Sequence, residues 1–193
     1  MLQLRIPRIL VSALALITFS IVISLQSPVL AQNTELFGGA SFVRANPHFT
    51  RSDFRFNRDT DQIGFDAALT RYFGHRPIGI TFDVGGSWRS TDPADSSLVT
   101  AMAGPTIKAR GHRVEPFVHA LVGVGRFAAA NQQLNFRFDK STAGWAYAAG
   151  GGLDLNVNNR FAIRAFQADY LSTRIAGKNV RNLRAGIGVV LRF

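Results

Sequence analysis

Alternation is the feature that most constrains this chain. From Ile78 to Trp88, the stretch "IGITFDVGGSW" sets Ile78, Ile80, Phe82, Val84 and Trp88 against Gly79, Thr81, Asp83, Gly85 and Ser87. Further on, Trp145, Tyr147, Ala149, Leu153, Leu155 and Val157 oppose Ala146, Ala148, Gly150, Gly152, Asp154 and Asn156. The last twelve residues set Leu183, Ala185, Ile187, Val189, Leu191 and Phe193 against Asn182, Arg184, Gly186, Gly188, Val190 and Arg192. A period of two places successive side chains on opposite faces of a strand. Eight segments read this way, at about 35–43, 63–73, 78–89, 97–108, 114–127, 143–156, 161–173 and 182–193, and after Gln32 no window holds a helical period.

The connections alternate in length. Those at 44–62, 90–96, 128–142 and 174–181 are longer and polar, whereas 74–77, 109–113 and 157–160 are short. A tilted strand needs roughly 9–11 residues to cross a bilayer. An even number of such strands, with short turns on one side and long loops on the other, predicts an all-β fold. The expected form is an eight-stranded antiparallel up-and-down transmembrane β-barrel over residues 32–193. A soluble sandwich also alternates, but it turns its apolar face inward. Here the polar sets are poor in Lys and rich in Gly and Ala, as a narrow interior requires. Aromatic residues mark the strand ends, with Trp88, Trp145 and Tyr170 toward the long loops and Tyr72, Phe73, Phe161 and Phe193 toward the short turns. They predict two girdles at the two membrane interfaces.

Residues 1–31 read as a secretory signal peptide. Arg5 and Arg8 precede an apolar run from Ile9 to Leu25, and Val29 and Ala31 occupy the small-residue positions before a cleavage point between Ala31 and Gln32. The net charge of +10 falls by two, to +8, when Arg5 and Arg8 are removed. Such a charge would suit a nucleic acid or an anionic surface; export argues against nucleic acid. With no cysteine among 193 residues, neither disulfides nor thiolate metal sites are available.

An eight-stranded barrel has an interior just wide enough to be filled by side chains. The polar parity sends Asp66, Asp83, Arg89, Glu115, His119, Asp154, Arg164, Arg184 and Arg192 inward. Counting along the strands places Glu115, His119, Asp154, Arg164 and Arg192 in the short-turn half and Asp66, Asp83, Arg89 and Arg184 in the long-loop half. Each half mixes both signs, so two ion-pair layers that close the barrel are expected, because an unpaired buried charge is strongly destabilising. The seventh segment breaks the pattern. Arg164 differs in parity from Gln167 and Asp169, which predicts a one-residue bulge near Ala165 or Phe166.

No pattern of catalytic or metal-binding chemistry stands out. His48, His75, His112 and His119 have no partner at a metal-ligand spacing. A lone interior histidine such as His119 is more often a hydrogen-bonded filler than a base; Ser87 is its one nucleophile candidate by parity. The glycine runs at 123–125 and 150–152 lie inside strands, with no following helix to receive a phosphate. No cofactor is indicated. The long connections carry Arg44, Arg51, Arg55, Arg58, Arg137, Lys140, Arg174, Lys178 and Arg181, suited either to anionic lipid phosphates or simply to the solubility of exposed loops.

In "ELFGGASFV", "EPFVHALVGVGRF", "GGGLDLNVNNRFAIRAFQADYL" and the final strand, the chain resembles small outer-membrane β-barrels of the outer-membrane-protein-A transmembrane-domain type, a porin-like family. The resemblance implies an assembly signal at Gly188, Leu191 and Phe193, captured by the barrel-insertion machinery; Gly186 stands where the family prefers a polar residue. It also implies residence in the outer membrane of a Gram-negative-type cell. The expected role is that of a non-enzymatic, monomeric envelope protein, structural or interacting at the surface. The alternatives are a small pore for ions or solutes, a secreted soluble β-barrel binding protein, and a lipid-modifying enzyme using His119.

Overall fold

The computed structural model describes residues 33–46, 49–51, 54–56, 60–74, 76–91, 94–131, 140–175 and 178–193. The expected signal peptide and its junction at Ala31 and Gln32 lie outside the described residues. The described strands are β1 (Thr34–Asn46), β2 (Phe49–Arg51), β3 (Phe54–Phe56), β4 (Thr60–Tyr72), β5 (Ile78–Thr91), β6 (Ala94–Lys108), β7 (Val114–Asn131), β8 (Lys140–Asn156), β9 (Phe161–Ile175) and β10 (Lys178–Arg192). Strands β1 and β4 to β10 close into an eight-stranded barrel in the order β1-β10-β9-β8-β7-β6-β5-β4. Every neighbouring pair is antiparallel. Strands β2 and β3 pair separately, Phe49 opposite Phe56, as a small hairpin in the first long connection.

Closure joins the two ends of the chain. The β1–β10 ladder runs from Glu35 opposite Arg192 to Asn46 opposite Arg181. Beyond it the Phe193 amide donates to the Thr34 carbonyl at 2.9 Å and the Thr34 amide to the Phe193 carbonyl at 3.3 Å. A closed ladder has no edge, so the backbone groups of these strands are paired within the barrel.

The barrel strands contain 13 to 18 residues and outrun their alternating cores. Segments expected to stop near 43, 89, 127 and 173 continue to Asn46, Thr91, Asn131 and Ile175, so the connections expected at 90–96 and 174–181 shrink to 92–93 and 176–177, and the long ones are those after β1 and β7. Alternation records which face is apolar, whereas pairing propagates past it, because each further rung of an antiparallel ladder closes no new loop. At the opposite end the β4–β5 turn holds Gly74 at a φ of 60°, a left-handed conformation that glycine adopts without steric cost.

The barrel is apolar outside and polar inside. Phe82, Trp145, Ile63 and Ile187 are each at least 60% exposed, while Asp154 and Asp169 are fully buried. Strand β9 keeps this order only by a shift of register. On β8, Leu153 pairs with Phe166 and Asp154 pairs with Arg164, so Ala165 is the extra residue of a bulge. Ala165 and Phe166 both face outward, and Arg164, Gln167 and Asp169 all face inward.

Among the expected girdle residues, Phe73, Trp88, Trp145, Phe161 and Tyr170 are exposed, and Phe193 is partly buried. Tyr72 requires correction. It is only 3% exposed and directs its hydroxyl to Glu35 at 3.2 Å. Tyr72 and Phe73 are consecutive, so they cannot share a face; the inward parity of Gln62, Asp66 and Thr70 carries Tyr72 inside.

Candidate functional site: the charged barrel interior

The interior is built as two clusters, and the strand register sets their levels. Glu35 lies opposite Arg192 across β1–β10, Glu115 opposite Asp154 across β7–β8, and Asp154 opposite Arg164 across β8–β9. Toward the short turns, these residues meet Lys108. The Lys108 ammonium donates to Glu35 and, at 2.7 Å, to Asp154, and lies 3.8 Å from Glu115. Arg192 donates to Glu35 at 3.1 Å and Glu115 at 2.6 Å. Glu35, Glu115 and Asp154 thus face Lys108, Arg164 and Arg192, three charges of each sign.

Arg164 is held on every side. Its Nε and Nη2 grip Asp154 at 2.8 and 3.2 Å, and Nη1 donates to the Gln167 carbonyl oxygen at 2.8 Å. Its guanidinium carbon is 4.1 Å from the ring centres of both Phe37 and Phe117, a planar cation stacked between two aromatic faces. Room for this sandwich comes from Gly152, where a Cβ would lie 2.9 Å from the Phe117 ring.

Toward the long loops, Arg184 is the centre. It donates to Asp169 at 2.9 Å, to Asp66 at 3.1 Å, and through two nitrogens to Asp83 at 3.1 and 3.2 Å. His119 Nε2 lies 2.8 Å from the other Asp169 oxygen. The clusters are joined by Gln167, whose amide oxygen accepts from Arg164 and whose nitrogen donates to Asp169 at 2.7 Å. Thr70, Thr81 and Thr106 form a chain of hydroxyl contacts beside the junction. The cavity there, bordered by Asp83, His119 and Gln167, has space for about one water.

Apolar side chains fill what the charges leave. Leu98, Met102, Leu121, Ala146, Ala148 and Leu171 form one buried cluster; Phe37, Ala68, Ala162 and Val190 form another.

The structure brings eight of the nine expected interior residues into these clusters: Asp66, Asp83, Glu115, His119, Asp154, Arg164, Arg184 and Arg192. Arg89 lies apart, partly buried, six residues along β5 from Asp83 toward the long loops. His119 differs from its expected level. Gly150 is opposite both His119 and Asp169, so the register carries the imidazole across a bare glycine into the Arg184 cluster. A Cβ on Gly150 would collide with the Asp169 carboxylate. Ser87 is not joined to His119, for its hydroxyl donates to Gln62 at 2.7 Å.

Sequence reasoning missed Glu35 and Lys108. Both stand at strand ends, where charge usually means solvent, yet Lys108 shares the inward parity of Met102 and Thr106 and is 1% exposed. That parity was the available signal. For Glu35 the signal was masked, because its inward neighbours Phe37 and Val43 are apolar and made the face look outward.

At the long-loop end, Arg174 and Arg181 are exposed and Arg44 pairs with Asp61 at 3.4 Å. The side chains of Arg51, Arg55, Lys140 and Lys178, like Arg58 and Arg137 entirely, lie outside the described residues. Of the assembly-signal residues, Gly188 faces the Phe37 ring, where a Cβ would lie 2.7 Å from a ring carbon, and Leu191 is partly buried.

No protein-family model matches the chain, and no curated protein matches its sequence. Solved structures do match in shape. The attachment invasion locus protein Ail of Yersinia pestis superposes with a TM-score of 0.62 at 18% identity, over 84% of this chain and 99% of that one. Neisserial surface protein A gives 0.64 at 15% identity, over 84% and 99%. OprG, an outer-membrane protein of Pseudomonas aeruginosa, gives 0.52 at 12% identity, over 84% and 96%. Ail has also been crystallised with the heparin analogue sucrose octasulfate. The shared property is the closed eight-stranded barrel.

Proposed function

We propose that this chain is an integral outer-membrane protein of a Gram-negative-type envelope, non-enzymatic and monomeric, with an interior closed by its two ion-pair clusters. The observation that carries the reading is the inversion of polarity: large apolar side chains ring the outside while Asp66, Asp83, Asp154, Asp169, Arg164 and Arg184 are buried within. In water that arrangement would leave an apolar belt far larger than soluble monomers carry. In a bilayer it satisfies both surfaces. The mutual pairing of the buried charges across the interior favours a closed barrel over a pore. Within this reading, residues 1–31 direct export and the strand ending at Gly188, Leu191 and Phe193 is what the insertion machinery captures.

The role is structural or at the cell surface. Basic residues at the long-loop end, including Arg174 and Arg181 near the ends of β9 and β10, would meet anionic lipid phosphates. The sulfated ligand of the Ail barrel supports anion contact as a use for this architecture. The test is folding of the denatured mature chain on dilution. A β-rich, heat-modifiable band should appear with detergent micelles and not in plain buffer, and a chain lacking Phe193 should insert less well into outer membranes. A folded, monodisperse protein in plain buffer would make a secreted binding protein the better reading.

A further inference from the structure

The short-turn end carries positive charge that no acidic side chain among the described residues neutralises. Each of its three connections holds arginine and none holds an acid: Arg76 between β4 and β5, Arg110 and Arg113 between β6 and β7, and Arg160 between β8 and β9. Arg71 adds a fifth, on the outward face of β4 two residues before Phe73. All five are exposed. The acids at this end, Glu35, Glu115 and Asp154, are buried and bound to Lys108, Arg164 and Arg192. Among the described residues none of the five arginines makes an ion pair, though Arg110 lies over the Tyr72 ring at 5.3 Å.

Their setting selects the partner. Arg76 is two residues from Ile78, Arg113 adjoins Val114 and Arg160 adjoins Phe161, and these apolar side chains are exposed. Arg71, Arg76, Arg113 and Arg160 therefore edge the apolar belt, at the depth where lipid headgroups meet hydrocarbon, and Arg110 stands beside them at the barrel mouth over Tyr72. They are also distributed around the barrel, on three turns separated by strand pairs, rather than gathered into one patch. A leaflet surrounds a barrel; an acidic peptide would touch one side. A guanidinium offers parallel N–H donors to phosphate oxygens, and one cation at an anionic leaflet favours association roughly fivefold.

We infer that Arg71, Arg76, Arg110, Arg113 and Arg160 form a ring that binds the headgroup phosphates of anionic phospholipid in the leaflet facing the short turns. This rests on the membrane reading above, and it assigns the larger share of lipid selectivity to the end opposite the long loops.

The experiment is native mass spectrometry of the barrel released from micelles supplied with equal phosphatidylglycerol and phosphatidylcholine. The wild-type chain should retain phosphatidylglycerol in roughly tenfold or greater excess. Replacing all five arginines by glutamine should bring the two lipids near parity, and the pair Arg110→Gln and Arg113→Gln carries the test if the fivefold variant does not give the heat-modifiable band. Arg174→Gln with Arg181→Gln, at the other end, should lower the excess much less than loss of the ring does. An excess that survives loss of the ring, or that falls as far with Arg174 and Arg181 alone, overturns the inference. A detergent-dependent barrel with no preference overturns it by itself. A chain that folds in plain buffer removes the membrane reading along with it.

Discussion

Arg164 directs its donors to Asp154 and Gln167 while its two faces rest on Phe37 and Phe117. A charge so placed has no route to water, and its partner Asp154 is fully buried. Removing one member of a buried pair leaves the other uncompensated and costs about 3–5 kcal/mol. We therefore expect Asp154→Asn and Arg164→Met each to lower stability by about that much in micelle-bound unfolding by urea. The double variant should lose less than the two added together, by about 0.5–3 kcal/mol. Strictly additive losses would mean that the two residues act independently. Most charged positions were legible in parity alone, as with Asp83 and Arg184. Which acid meets which base was not, because Asp66 and Arg184 are separated by most of the chain and are joined only when the barrel closes.

At the scale of the strand, β9 shows what a single residue decides. Ala165 lets Arg164 point inward while Gln167 and Asp169 also point inward. Deleting it would restore a regular ladder and force one of these sets toward hydrocarbon, where a charged group is expensive. Deletion of Ala165 should abolish the heat-modifiable band or greatly reduce it, whereas Ala165→Ser should keep it. A deletion variant that folds as well as the parent would mean that the strand can shift register freely. The need for this bulge could be read from "RAFQAD", since three polar residues of mixed parity cannot otherwise share one face. The same rule, applied to consecutive Tyr72 and Phe73, sends Tyr72 inside; aromatic character was the misleading signal there.

At the scale of the whole barrel, Gln167 couples the two clusters. If the proposed closure is right, the parent chain should give no discrete conductance steps in planar bilayers. A variant with Lys108, Arg164 and Arg184 all replaced by alanine should conduct, provided that its heat-modifiable band shows it folded. Replacing these long side chains would leave carboxylates lining a wider interior, so the conductance should favour cations. Steps of equal size in parent and variant would show that the clusters do not close the lumen.

Local pattern in the sequence determined the eight barrel strands and the sign of each face, because pleating depends on near neighbours. Tertiary structure decided the rest. Strand register placed His119 opposite Asp169 across Gly150. Closure of β1 onto β10 brought Glu35 to Arg192 and Lys108, and Lys108 became the hub of a cluster from a position that looks like a solvated strand end. Long-range pairing follows from stagger and closure summed around eight strands, a geometric constraint that no short window of sequence contains.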